Sequence, residues 1–249
     1  MDIAEHIEHL RRDGARLVEA AGRAGLDAPV PTCPGWTVRD LVGHTGGVHR
    51  WAASHLTTGR PGPATAEETA PLFATPEDGK LLDWYRDAHS ELVDALTKTD
   101  PGVACWSFLA APSPLAFWAR RQAHETAIHR VDAESAGSSV TPVAPGFAVD
   151  GIDELLNGFL SRPTSRLVAD PPTSLAVRAT DADAAWTVHI GPDGRRIVPR
   201  EEPAELHIAG PASDLYLLLW NRRDTDGLGI DGDPAALDVW RAKATVAWR

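Results

Sequence analysis

Residues 124 to 129 read His124-Glu125-Thr126-Ala127-Ile128-His129. Glu125 and His129 stand four positions apart, so on a helix they stack one turn apart on one face and can share a cation. His124 and His129 are five apart and diverge by roughly 140° at 3.6 residues per turn, which excludes the His-Glu-x-x-His geometry of metalloproteases. Continuing the Glu125–His129 face gives Trp118, Gln122 and Asp132. Polar groups in such a stripe must be paired or ligated if the face turns inward, because burying them bare is costly. The plainer alternative for Glu125 and His129 is a simple hydrogen-bonded pair.

A second stretch, Leu41-Val42-Gly43-His44-Thr45-Gly46-Gly47-Val48-His49-Arg50-Trp51, sets histidines among small residues. Its glycines cost helix propensity, about 1 kcal/mol each, and imply that something approaches closely. His44, on the side of Val48 and Trp51, is the expected third ligand; His49, beside Arg50 on the other flank, is the runner-up. Two histidines and one carboxylate leave a coordination position open, the arrangement of catalytic zinc, although iron, nickel or manganese would also suit. Water bound there is driven toward hydroxide and a thiol toward thiolate. The other histidines read as ordinary: His6 and His9 as surface residues, His89 on the border of an apolar stripe, His189 and His207 as hydrogen-bonded residues of a sheet.

The elements that must position these groups follow from periodicity. Ile3, Ile7, Leu10, Leu17 and Ala21 predict an amphipathic helix over Ile3 to Ala24. Thr37, with Asp40 three residues on, opens a second helix to about His55. A surface loop is expected from Thr58 to Pro71. Thr75-Pro76 signals a third helix carrying Leu81, Tyr85, Ala88, Leu92 and Leu96, and Ser113-Pro114 a fourth over Leu115 to Glu134. These make a four-helix bundle, residues 1–138, with sites facing its interior. The turn-rich run Gly137 to Gly146 is the expected linker. Residues 147–249 predict a small α/β domain with a mostly antiparallel sheet: a helix at Asp150 to Leu160, strands at Leu167 to Ala169, Ser174 to Thr180, Ala185 to Gly191 and Leu206 to Ala209, and helices at Ala212 to Arg222 and Pro234 to Val246. The fold class is therefore α+β.

The 249 residues carry a formal charge of −11, which argues against nucleic acid or anionic membranes as partners. No run approaches the ~18 apolar residues of a spanning helix, and the N-terminus lacks a signal-peptide pattern, so a cytoplasmic protein is expected. Two cysteines, Cys33 and Cys105, are too few for a disulfide scaffold. Oligomeric state is not legible.

Cys33-Pro34-Gly35-Trp36-Thr37-Val38-Arg39-Asp40-Leu41-Val42-Gly43-His44, followed by Gly47-Val48-His49-Arg50-Trp51, resembles the opening motif of the mycothiol-dependent maleylpyruvate isomerase family. The stretch His124 to Glu134 resembles its second motif, and Gly210 to Arg223, with Asp231-Gly232-Asp233 after it, its C-terminal signature. The resemblance implies a DinB-like bundle followed by a sterol-carrier-like domain, with zinc held by His44, Glu125 and His129. It places a catalytic arginine at Arg222, with Arg223 equally available, suited to hold a substrate carboxylate. It implies mycothiol, the low-molecular-weight thiol of actinobacteria, as cosubstrate: the thiolate attacks a small electrophile and then leaves after bond rotation, as in an isomerase, or stays attached, as in an S-transferase. Two other readings fit the same residues, a metal-dependent hydrolase of a thiol conjugate or amide, and a non-catalytic metal-binding or interaction protein.

Overall fold

Several helix starts are written into the chain as side-chain caps. In the computed structural model, which describes residues 1–137 and 139–246, α1 (Ile3–Ala24) is closed by a reciprocal capping box between Asp2 and Glu5, and α2 (Val38–Thr58) by one between Thr37 and Asp40. A short α3 (Ala66–Thr69) and a 3-10 turn (Ala70–Phe73) occupy part of the stretch expected to be loop. α4 (Asp78–Lys98) begins beyond the expected Thr75-Pro76 start, and its N-cap Glu77 makes no side-chain capping bond. Thr75 packs instead: a Cβ on Gly43 would lie 2.9 Å from its Cγ2. α5 (Pro114–Ser135) is capped by Ser113, with Pro114 in its first turn.

α1, α2, α4 and α5 form the bundle, within a unit spanning Met1–Thr141. Its core joins Leu17 and Ala21, Val38 and Leu41, Leu81 and Tyr85, and Ala133. The glycines of α2 are where neighbours press in, since a Cβ on Gly46 would lie 2.3 Å from the Trp84 ring and one on Gly47 2.2 Å from Phe73. α5 is buried on every side, at 18 of its 22 residues. Since that set includes Arg121, Glu125, His129, Arg130, Asp132 and Glu134, α5 must satisfy charges internally. Arg130 does so by donating to Glu134 (2.8 Å), which also accepts from the Thr141 amide (2.7 Å).

The second unit is Pro142–Arg249; residue 138, where the sequence reading ended the first domain, lies outside the described residues. α6 (Pro145–Asp153) starts earlier than expected and runs into a π-helical stretch, Glu154–Leu160. Five strands follow the order β3-β2-β1-β4-β5: β1 (Thr173–Ala179), β2 (Ala185–Gly191), β3 (Gly194–Val198), β4 (Leu206–Gly210) and β5 (Gly229–Gly232). Only the β1–β4 pairing is parallel, so the sheet is mostly antiparallel. Leu167 to Ala169 is not a strand; only the Ala169 amide reaches the end of β2, donating to Gly191 O (3.1 Å). α7 (Ala212–Leu219) stops short of Arg222 because Asn221 turns left-handed (φ 58°), a conformation asparagine tolerates. α8 (Ala235–Lys243) ends before the expected Val246. Among the described residues no helix is long and apolar enough to cross a membrane.

Candidate metal centre

α2 and α5 bring His44, Glu125 and His129 together, one ligand atom from each lying within 4.8 Å of the others. Glu125 Oε1 stands 3.2 Å from His129 Nε2 and 3.5 Å from His44 Nε2. It is buried and completes no hydrogen bond among the described residues. Arg121 Nη2 donates to Glu125 Oε2 (2.7 Å), and the Asp132 carboxylate lies 2.9 Å from His129 Nδ1. An ionised carboxylate only accepts, so Nδ1 carries the proton and the lone pair of neutral His129 sits on Nε2, facing Glu125.

The donor set fits a divalent ion. Bonds of about 2.1 Å at tetrahedral angles put neighbouring ligand atoms about 3.4 Å apart, and the two nitrogen–oxygen separations bracket that length. Two imidazoles and one carboxylate leave a fourth position, and His44, 22% exposed against 10% for His129, marks the open side. The buried guanidinium of Arg121 adds positive field and favours an anion there.

Proton affinities follow the same contacts. Burial opposes protonation of His129, but the carboxylates of Asp132 and Glu125 outweigh it and raise the imidazole to about 9. Burial pushes Glu125 up, while Arg121 and then the two histidines hold it well below the ordinary carboxylate range. In the metal-free protein His129 therefore holds a proton that a cation must displace.

His49, the runner-up ligand, does not lie on an outer flank. It is fully buried, with Nε2 2.9 Å from Thr126 Oγ1 and its ring centroid 5.4 Å from that of Tyr85 and 5.3 Å from that of His89. Burial, then His89, keep it neutral; burial likewise lowers His89 to about 4. His6 is buried rather than superficial, its ring 6.0 Å from that of His124. His189 and His207 are half-exposed sheet residues, bonded to Glu202 (3.1 Å) and Glu201 (3.0 Å). Arg222 lies beyond α7, where Nη1 donates to Trp220 O (3.0 Å), and Arg223 pairs with Asp214.

Two residues at the trio have no role in the sequence reading. Arg121 was findable, since it stands one turn before Glu125 at ion-pair spacing. Trp36 was not: its ring centroid lies 5.0 Å from His44 and 6.3 Å from His129, a placement set by a loop that no periodicity describes.

Residues 7–134 match the family described as the Mycothiol maleylpyruvate isomerase N-terminal domain, and residues 146–238 match the MDMPI C-terminal domain. Two solved structures of the mycothiol-dependent maleylpyruvate isomerase, one a histidine-to-alanine variant, superpose with TM-scores of 0.64 and 0.65. They share 14% and 13% identity with this chain, covering 92% of it and 93% of theirs, so the likeness is one of fold. A comparison with curated proteins gives no match.

Proposed function

We propose, on the premise that this chain belongs to the mycothiol maleylpyruvate isomerase family, that it is a metal-dependent enzyme using a low-molecular-weight thiol, mycothiol, against a small electrophile. The observation that carries the reading is the bare, buried Glu125 Oε1 held between two imidazole nitrogens. His44, Glu125 and His129 are the proposed ligands, and zinc the proposed ion. Such an ion supplies Lewis acidity that makes thiolate available at neutral pH.

The chain's own residues do the rest. Arg121 fixes the Glu125 carboxylate so that only Oε1 is presented. Trp36 screens both histidines from bulk water on one side, which strengthens electrostatic interactions within. In isomerisation the thiolate adds to one carbon of an activated double bond, the resulting single bond rotates, and expulsion of the same thiolate restores the double bond with no net change of atoms. Retention of the thiol gives S-transfer instead. Arg222 is proposed to hold a substrate carboxylate, the bidentate task for which a guanidinium is suited. The partners are a thiol and a small molecule, and the proposed location is the cytoplasm.

Elemental analysis of the purified protein, with mycothiol consumption measured against unsaturated acids and epoxides, tests the reading. A single divalent ion per chain and electrophile-dependent, thiol-dependent turnover are expected, both lost in His44→Ala and Glu125→Ala. Failure to take up metal overturns it, as does conversion that needs no thiol, which would point to hydrolysis.

A further inference from the structure

Asp132 is fully buried and ties α5 to the loop that precedes α2. Its Oδ2 lies 2.9 Å from His129 Nδ1 and accepts from Cys33 Sγ (3.3 Å); its Oδ1 accepts from Thr32 Oγ1 (2.6 Å). Thr32 Oγ1 also lies 3.3 Å from Ser135 Oγ, on the last residue of α5. Thr32 and Cys33 belong to a tight loop whose backbone closes through Val30 N to Trp36 O (2.9 Å) and Trp36 N to Cys33 O (3.0 Å), with Gly35 left-handed at φ 87°. That loop carries Trp36 onto the rings of His44 and His129. One carboxylate therefore sets the orientation of a proposed ligand and anchors the loop covering it.

We infer that Asp132 is a positioning residue of the metal centre, acting through His129, and that Thr32 and Cys33 make the covering loop part of the same device. The inference rests on the reading that His44, Glu125 and His129 take a metal. Outer partners of this kind fix the tautomer and ring orientation of a metal-binding histidine, and losing one weakens metal affinity about 10- to 100-fold. Asparagine is a sharp probe here. Donation from Thr32 holds the amide oxygen on its own side, which turns the amide nitrogen toward His129 Nδ1 and favours the tautomer with its proton on Nε2. That nitrogen then has no lone pair for a cation.

The test measures Zn2+ affinity of the full chain by chelator competition and the visible spectrum of its Co2+ form. Asp132→Asn is expected to weaken Zn2+ about 10- to 100-fold and alter the Co2+ spectrum. Thr32→Val and Cys33→Ala should weaken it in the same direction but less, with Thr32→Ser and Cys33→Ser restoring affinity; these variants carry the test if Asp132→Asn does not fold. In a His129→Ala background, Asp132→Asn should add no penalty. Unchanged affinity and spectrum in Asp132→Asn, or an equal penalty in both backgrounds, overturns this inference alone. Failure of the unaltered chain to bind Zn2+ overturns the metal reading and this inference with it.

Discussion

His189 on β2 with Glu202 of the β3–β4 connection, and His129 with Glu125 in the bundle, are the same two residue types at nearly the same separation, 3.1 and 3.2 Å. Around Glu202 the contacts are saturated: it also meets Arg196 (3.3 Å) and Arg200, and His189 then these cations hold its carboxyl below the usual range. His189 is 31% exposed, so water screens what remains. Around Glu125 the contacts stop one short, in a buried place where a bare oxygen is costly. Site chemistry here comes from burial joined to an unfilled valence, and the residue types alone do not distinguish the two pairs.

Removing a cation should separate the pairs most. Arg121→Met leaves Glu125 Oε2 buried without its guanidinium, and breaking a buried pair costs about 3–5 kcal/mol. Denaturant unfolding of the metal-free protein should show that loss, with Zn2+ returning part of it; Arg196→Met should unfold like the unaltered chain. Glu125→Gln should weaken Zn2+ by more than the ~100-fold typical of outer partners, whereas Glu202→Gln leaves metal content unchanged. A metal-binding effect of Glu202→Gln would erase the contrast drawn between the units.

Acidity sharpens the contrast next. His129 keeps its proton up to about 9 in the metal-free bundle, and a cation must displace it. Zn2+ affinity should therefore fall about tenfold per pH unit below that value and level off above it. Stability of the metal-free protein runs the other way: a value raised above the ordinary ~6.5 of histidine contributes stability that is complete below that pH and lost as pH rises through 9. Affinity titrations and unfolding curves across pH 6–10 check both signs, and a flat affinity profile would contradict the proposed displacement. The smallest effect concerns packing that holds α2 in place. Gly46→Ala drives a methyl into the Trp84 ring, and overpacking of about 1–3 kcal/mol is offset in part by about 1 kcal/mol of helix propensity. Gly79→Ala meets nothing within 4 Å and should stabilise by about 0.4–1 kcal/mol; thermal unfolding distinguishes the two.

Capping residues and apolar spacing made the long helices of the bundle legible, because both are local. The stacking of Glu125 over His129 is local as well. Whether His44 or His49 meets them depends on how α2 is rotated, which interhelical packing decides: His44 reaches 3.5 Å from Glu125 while His49 turns to Thr126. β5 is Gly-Ile-Asp-Gly with every residue exposed, so it presents no alternation to read. β3 is short and carries Arg195 and Arg196 in succession. The grip of Thr32 and Cys33 on Asp132 spans about 100 positions, beyond any periodic signal.

The central claim is most directly tested by X-ray absorption at the zinc edge of the loaded protein, before and after addition of mycothiol. A first shell of light atoms at about 2.0–2.2 Å with imidazole scattering is expected, joined on thiol addition by sulfur at about 2.3 Å. A shell that excludes imidazole, or one that admits no sulfur at saturating thiol, would contradict it.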